Sequence, residues 1–205
     1  QTRADLVDGE WVINGAKQFI TNSGSSITSL VTVTARTAAT TADGKAEIST
    51  IIVPTGTPGF TAGPSYDKLG WHASDTHPLT FADARVPEEN LLGDRGRGFA
   101  QFLATLDDGR VAIAALAVGC LQAMVDLTAA YSLERRSFGA PIGRKQGVAF
   151  QIADLEVMLR AARALTYQAA ALKDAPGNGR AGAPSAACKQ AAAVAKLYAT
   201  ESAVT

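Results

Sequence analysis

Cysteine is scarce in this chain, and the two present, Cys120 and Cys188, sit in alanine-rich sequence with no CxxC pair and no neighbouring histidine. That spacing excludes a disulfide framework or a zinc site and leaves two buried free thiols, the pattern of a reducing compartment. Histidine is equally rare: His72 and His77 share a polar stretch with Pro78 and lack a third ligand at metal spacing, so they read as loop structure and no metal is expected. An excess of charge is missing too. The 19 basic residues face 19 acidic ones, which argues against a nucleic acid held through its phosphates. No run approaches the roughly 18 uncharged apolar residues of a membrane span. The glycines between Gly93 and Gly98 do not form G-x-G-x-x-G after a strand, and there is no Walker A sequence. Also absent are a leading Met and a signal peptide, Gln1 being first and Thr205 closing a helix-like run. These ends predict a fragment or processed piece of a longer protein, in the cytoplasm or, in a eukaryote, the mitochondrial matrix.

What is present divides at about residue 95 into an antiparallel β domain, 1–95, and part of a helical bundle, 96–205, an α+β chain with a barrel-like or sandwich-like first half. Segments Ala4 to Val7, Glu10 to Ile13 and Ala16 to Ile20 are separated by Asp8-Gly9 and Asn14-Gly15, dipeptides suited to type I′ turns. A three-strand meander is then expected. Leu30 to Thr34 and Ile48 to Val53 flank Asp43-Gly44, and Leu79 to Phe81 with Ala84 to Val86 supply a late strand that Pro87 closes. Beyond Gly98 the period changes. Leu103, Leu106, Arg110, Ile113, Ala117, Cys120, Met124, Leu127 and Tyr131 fall on one helical stripe. Val148, Ile152, Leu155, Leu159, Ala162, Leu165, Ala169 and Leu172 repeat it. A loop from Asp174 to Pro184 precedes a third helical run through Val194, Leu197 and Tyr198. Alanine inflates the 47% hydrophobic share and favours helix, and short connections imply antiparallel packing.

Two places could carry chemistry. Lys17-Gln18-Phe19-Ile20-Thr21-Asn22 ends a predicted strand, where residues two apart share a face. An aromatic ring beside a hydroxyl could contact a flat heteroaromatic cofactor, the ring packing on it and the hydroxyl donating to a ring heteroatom; ordinary sheet packing is the plain alternative. On the long helix, Arg110 breaks an apolar stripe, and a charge there needs a partner. Asp107, three residues earlier, can face it as a stiffening ion pair or as part of a ligand site.

The hexapeptide stands in company. Asp8-Gly9-Glu10-Trp11-Val12-Ile13-Asn14-Gly15, Lys68-Leu69-Gly70-Trp71 with Ala73-Ser74-Asp75-Thr76, and Glu134-Arg135-Arg136-Ser137-Phe138-Gly139 resemble, in order and spacing, the acyl-CoA dehydrogenase family from the first residue to the last. The resemblance implies FAD as cofactor, with Phe19 against the isoalloxazine and Thr21 bonding near flavin N5, where hydride arrives. It implies that Arg135, Ser137 and Phe138 reach the diphosphate and adenine side of a flavin bound mainly to a neighbouring subunit, helped by Gln146; Arg suits a diphosphate through its planar fork. Asp107 and Arg110 would border the acyl-CoA pocket. The partners implied are an acyl-CoA substrate of fatty acid metabolism, an electron-transfer acceptor protein and further copies of the chain in a dimer or tetramer.

The implied reaction removes a proton from the carbon next to a thioester carbonyl while hydride leaves the next carbon for flavin N5, and it needs a carboxylate base. A minority of the family carry that Glu at the position matching Gly109, and glycine cannot serve. Asp108 points about 100° away around the helix. The base is therefore expected downstream of Thr205, no catalytic residue is assigned here, and the 205 residues alone are expected to be inactive. Rival readings are an acyl-CoA oxidase or another flavin oxidase or monooxygenase on the same scaffold, and a non-catalytic binding or assembly module.

Overall fold

The computed structural model describes residues 2–38, 46–175 and 184–204, which form two compact units, Gln1–Leu103 and Ala104–Thr205. In the first unit, β1 (Arg3–Val7), β2 (Glu10–Thr21), β3 (Leu30–Ala38), β4 (Glu47–Pro54), β5 (Phe60–Ala62) and β6 (Thr76–Pro87) make one sheet in the order β4-β3-β1-β2-β6-β5. Asp8 and Gly9 have φ of 52° and 79°, the paired left-handed geometry of a type I′ turn, and they join β1 to β2 as expected.

Asn14-Gly15 does not turn the chain: β2 runs straight through it. The register shift lies opposite, where Asp83 (φ 51°) is the extra residue of a bulge in β6. Asn14 fits that bulge by accepting from the Asp83 amide at 2.9 Å and donating to its carboxylate at 2.9 Å. A type I′ turn and a bulge demand the same small polar residues, so the dipeptide could not separate them. The expected two-part late strand is likewise one strand, β6, bent at this bulge. Nor is the sheet wholly antiparallel. The β3 strand lies parallel to β1 through Arg3 and Arg36, and β3-β4 and β6 occupy opposite sides of the β1-β2 hairpin, so they form no meander. Asp43-Gly44 lies outside the described residues.

The core of this unit comes from alternation along the strands: Ala4, Trp11, Ile13, Val31, Val33, Ala35, Ile51, Val53, Leu79, Phe81, Ala84 and Val86 pack together. Trp11 is almost fully enclosed, and its indole N–H donates to the Glu88 carbonyl at 3.2 Å, so its polar atom is not orphaned.

In the second unit, α1 (Gly98–Glu134, whose first turns belong to the first unit), α2 (Gln146–Asp174) and α3 (Ala186–Ser202) accompany a short hairpin, β7 (Arg136–Ser137) and β8 (Ala140–Pro141). Ala114, Ala117 and Leu121 of α1 meet Leu159, Ala162 and Ala169 of α2 and Ala195 and Ala199 of α3. Small side chains let helix axes approach closely. The α2 stripe is as expected. The α1 stripe is not: Leu103, Leu106, Ile113, Met124, Leu127 and Tyr131 are exposed, and Ala117 alone of the expected set is buried. The sequence of α1 is apolar nearly all round, so periodicity offered two stripes, and the alanine-lined one forms the core of this unit. Val194 and Leu197 are exposed on α3 for the same reason, while Cys188, Ala192, Ala195 and Ala199 are buried. Both cysteines are free, but Cys120 is exposed, against expectation.

Among the described residues α1 is long and apolar enough to cross a membrane by length and composition; its uncharged run between Arg110 and Asp126 is short, but one or two charges do not offset the flanking leucines and phenylalanines. Of the loop expected from Asp174 to Pro184, Asp174 ends α2 and residues 176–183 lie outside the described residues.

Candidate functional site

Phe19 sits where β2 carries an extra residue against β6, between the pairs Lys17–Leu79 and Ile20–His77. Its φ of 58° is a left-handed conformation that a bulky residue rarely holds. The bulge replaces the simple alternation that would have set Phe19 and Thr21 on one buried face: Phe19 is 69% exposed and Thr21 is exposed as well. Tyr66 lies beside Phe19, ring centroids 4.9 Å apart and tilted 33°. Aromatic pairs at this separation are attractive beyond their buried area.

The loop after Thr21 is tightly held. The Asn22 amide donates to the Asp75 carbonyl at 3.0 Å, the Gly24 amide donates to the Asp75 carboxylate at 3.1 Å, and the buried Ser23 hydroxyl donates to the Ile20 carbonyl at 2.7 Å. Lys68 donates to the Ser74 carbonyl and to the Thr76 hydroxyl. His77 is in β6 rather than in a loop, and among the described residues no cluster could hold a metal. Tyr66, Lys68, Asp75 and His77 were not singled out as site residues from sequence, since partners so distant along the chain leave no periodic signal.

In the second unit Asp107 and Arg110 form the expected ion pair on α1, with 12% of the Asp107 side chain and 40% of the Arg110 side chain exposed. Arg110 is thus half in water, not a buried charge. Gly109 is exposed, and neighbouring Asp108 pairs with Lys173 of α2.

Arg135 follows the end of α1 and is exposed; its carbonyl accepts from Ile142 at 2.8 Å, closing the hairpin. Ser137 pairs with Ala140. Phe138 and Gly139, with φ of 53° and 78°, make the turn, and Phe138 is 95% exposed. The Lys145 ammonium lies 4.3 Å from the Phe138 ring centroid, a cation–π contact that spacing did not reveal. Gln146 opens α2, and no side chain caps that helix start. Arg135, Arg136, Arg144 and Lys145 therefore gather around a hairpin and an uncapped helix N-terminus, an arrangement that suits an anionic group. Their clustering beside the exposed Phe138 ring suits an anionic group that carries a flat ring.

Comparison with known proteins gives this geometry its family. The acyl-CoA dehydrogenase middle-domain model matches residues 1–84, and the acyl-CoA dehydrogenase C-terminal domain model matches 96–205. The chain is 48% identical over 175 residues to the Probable acyl-CoA dehydrogenase YngJ of Bacillus subtilis (strain 168), covering 85% of this chain and 45% of that protein. It is 43% identical over 164 residues to the Short-chain specific acyl-CoA dehydrogenase, mitochondrial, of Rattus norvegicus, covering 80% and 39%. Among solved structures, butyryl-CoA dehydrogenase from Megasphaera elsdenii superposes with a TM-score of 0.87 at 38% identity, covering 98% of this chain and 50% of that one. The chain spans less than half the length of these curated relatives. With both of its segments matched in order, the chain belongs to the acyl-CoA dehydrogenase family.

Proposed function

We propose that this chain is the middle and helical part of an FAD-dependent acyl-CoA dehydrogenase. Family membership supports the reading, and the single observation that carries it is the exposed Phe19 ring, held in a rare backbone conformation two residues before the exposed Thr21. A strained, exposed aromatic has a cost that sheet packing alone does not explain. When bound, the flavin supplies a two-electron acceptor for hydride.

In this reading Phe19 packs on the ring system and Thr21 donates a hydrogen bond where negative charge builds up, which lowers the barrier. Arg135, Ser137, Phe138 and Gln146 bind the phosphate and adenine end of a flavin held mainly by another copy of the chain. Asp107 holds Arg110 in place beside the thioester. The carboxylate base is outside residues 1–205, Gly109 being unable to serve. Electrons leave through an electron-transfer acceptor protein.

The test is to purify the full-length protein carrying this chain, reconstitute it with FAD, and supply short straight-chain acyl-CoA thioesters with an artificial electron acceptor. Yellow protein that forms the α,β-unsaturated thioester is expected. Protein that takes up no flavin under any reconstitution removes the reading, and rapid peroxide formation without an acceptor replaces dehydrogenase by oxidase.

A further inference from the structure

His77 is used by nothing in that reading, yet it is one of the most enclosed polar side chains of the first unit, 11% exposed. Its Nδ1 lies 2.8 Å from the Gly63 carbonyl, which only accepts, so Nδ1 carries the proton in that bond. Its Nε2 lies 3.2 Å from the Asp75 carboxylate. Both ring nitrogens therefore face acceptors, one on each side of the ring.

The two acceptors belong to different walls. The same Asp75 carboxylate oxygen accepts from the Gly24 amide at 3.1 Å, and the Asp75 carbonyl accepts from the Asn22 amide at 3.0 Å. These bonds fix the loop that leaves Thr21. Gly63 begins the segment that leads to Tyr66, whose amide donates to the Thr76 carbonyl at 2.9 Å and whose ring packs tilted against Phe19. A Cβ at position 24 would lie 2.6 Å from three atoms of the His77 ring, so the loop backbone rests directly on the imidazole. The charged group on His77 is Asp75; the Lys68 ammonium bonds the Thr76 hydroxyl, on the residue next to it in β6.

We infer that His77 is a positioning residue that couples the hydroxyl-bearing loop (Thr21 to Gly24) to the aromatic wall (Gly63 to Tyr66), so that Thr21 and the Phe19–Tyr66 pair keep one mutual arrangement. Both ends of the coupling are hydrogen bonds to one rigid ring, which has two χ angles and little freedom to let one wall shift without the other. The inference extends the flavin reading by naming what holds that site's donor and aromatic in register, and it rests on that reading only for its effect on FAD.

The experiment has two arms on the full-length protein. In the flavin-free protein, amide hydrogen exchange is compared between wild type and His77→Ala. Exchange at Asn22 and Gly24 and at Tyr66 is expected to accelerate together, about tenfold, as one to two buried bonds are lost. His77→Gln, which fills the space and still donates to one acceptor, is expected to restore one wall and not both. In the FAD-loaded protein, His77→Ala is expected to weaken FAD about tenfold and change the visible circular dichroism of the flavin, while Asp5→Ala, an exposed control on β1 of the same unit, changes neither. Exchange that stays at wild-type rates on either wall in both His77 variants overturns the coupling. A wild type that takes up no FAD ends the flavin reading and leaves the exchange arm intact. Should His77→Ala fail to fold, the Gln variant decides alone: both walls protected as in wild type overturns the inference.

Discussion

The Glu47 carboxylate receives the Arg95 guanidinium at 2.7 Å and the Thr37 hydroxyl at 2.8 Å, while the same guanidinium stands 5.4 Å over the Trp11 ring and donates to the Thr37 carbonyl at 3.0 Å. One side chain of β4 thereby ties the sheet edge to the segment that leads into α1. The Arg95 hydrogen bond, helped by Thr37 and opposed by burial, holds the Glu47 carboxyl below its ordinary value of 4.5. A depressed carboxylate pKa adds stability above the unfolded value, and that stability is lost as pH falls through the folded one. Glu47→Gln is therefore expected to cost about 1 kcal/mol at neutral pH, the scale of a partly exposed pair. The gap between the variant and wild type closes below pH 4.5. Denaturant unfolding at a series of pH values checks it, and a gap independent of pH excludes the carboxylate as its source.

Gly98 rests on the same strand. A Cβ there would lie 2.5 Å from the Ser49 carbonyl carbon and 2.8 Å from its Cα, and backbone cannot step aside as a flexible side chain can. Gly98→Ala is expected to destabilise the first unit by about 1–3 kcal/mol, although alanine normally favours a helix by up to about 1 kcal/mol over glycine. The clash wins because it is with main chain. A thermal midpoint that rises in the variant shows that α1 starts with more room than this contact allows.

Asp107 separates a structural from a functional ion pair. If it only stiffened α1, its removal would cost a few tenths of a kcal/mol, since pairs at this spacing are weak and Arg110 is partly in water. If it aims Arg110 at the thioester, Asp107→Asn lowers kcat/KM about tenfold or more with little change in melting temperature. Steady-state kinetics and a melting curve on the same preparation discriminate the two; unchanged kcat/KM removes Asp107 from the substrate site.

Much of the fold was legible because local chemistry and global packing agree in β1, the Asp8-Gly9 turn and α2. Where they part, the sequence was silent for physical reasons. Asn14 satisfies a bulge on the opposite strand, and a bulge wants the residues that a turn wants. The helix α1 offers two apolar stripes, and only its neighbours decide that Ala114, Ala117 and Leu121 enter the core of their unit rather than Leu106 and Leu127. The candidate residues Phe19 and Thr21 were singled out by type, spacing and resemblance, yet the face-sharing argument for them does not hold, because the left-handed Phe19 interrupts the alternation. Tyr66, which packs tilted against Phe19, and Lys145, which covers Phe138, are contacts of tertiary structure without a spacing rule.

That interruption makes the sharpest test of the proposed flavin site. Thr21→Val keeps shape and β-propensity but removes the donor, and an exposed side chain at the end of β2 contributes little to stability. If Thr21 donates where charge develops during hydride transfer, the variant binds FAD nearly as wild type does, while kcat falls roughly tenfold to a thousandfold, the range for losing one such donor. Phe19→Ala should do the reverse, weakening FAD through lost ring contact while kcat of the FAD-loaded enzyme stays near wild type; alanine keeps the Cβ that makes φ 58° unfavourable, so the backbone strain is not relieved. Rapid reduction of bound flavin by an acyl-CoA thioester, measured beside FAD titration and melting of each variant, separates the two effects. A Thr21→Val enzyme that reduces its flavin at the wild-type rate places the donor elsewhere, and a Phe19→Ala protein that binds FAD as tightly as wild type shows that the ring serves the sheet alone.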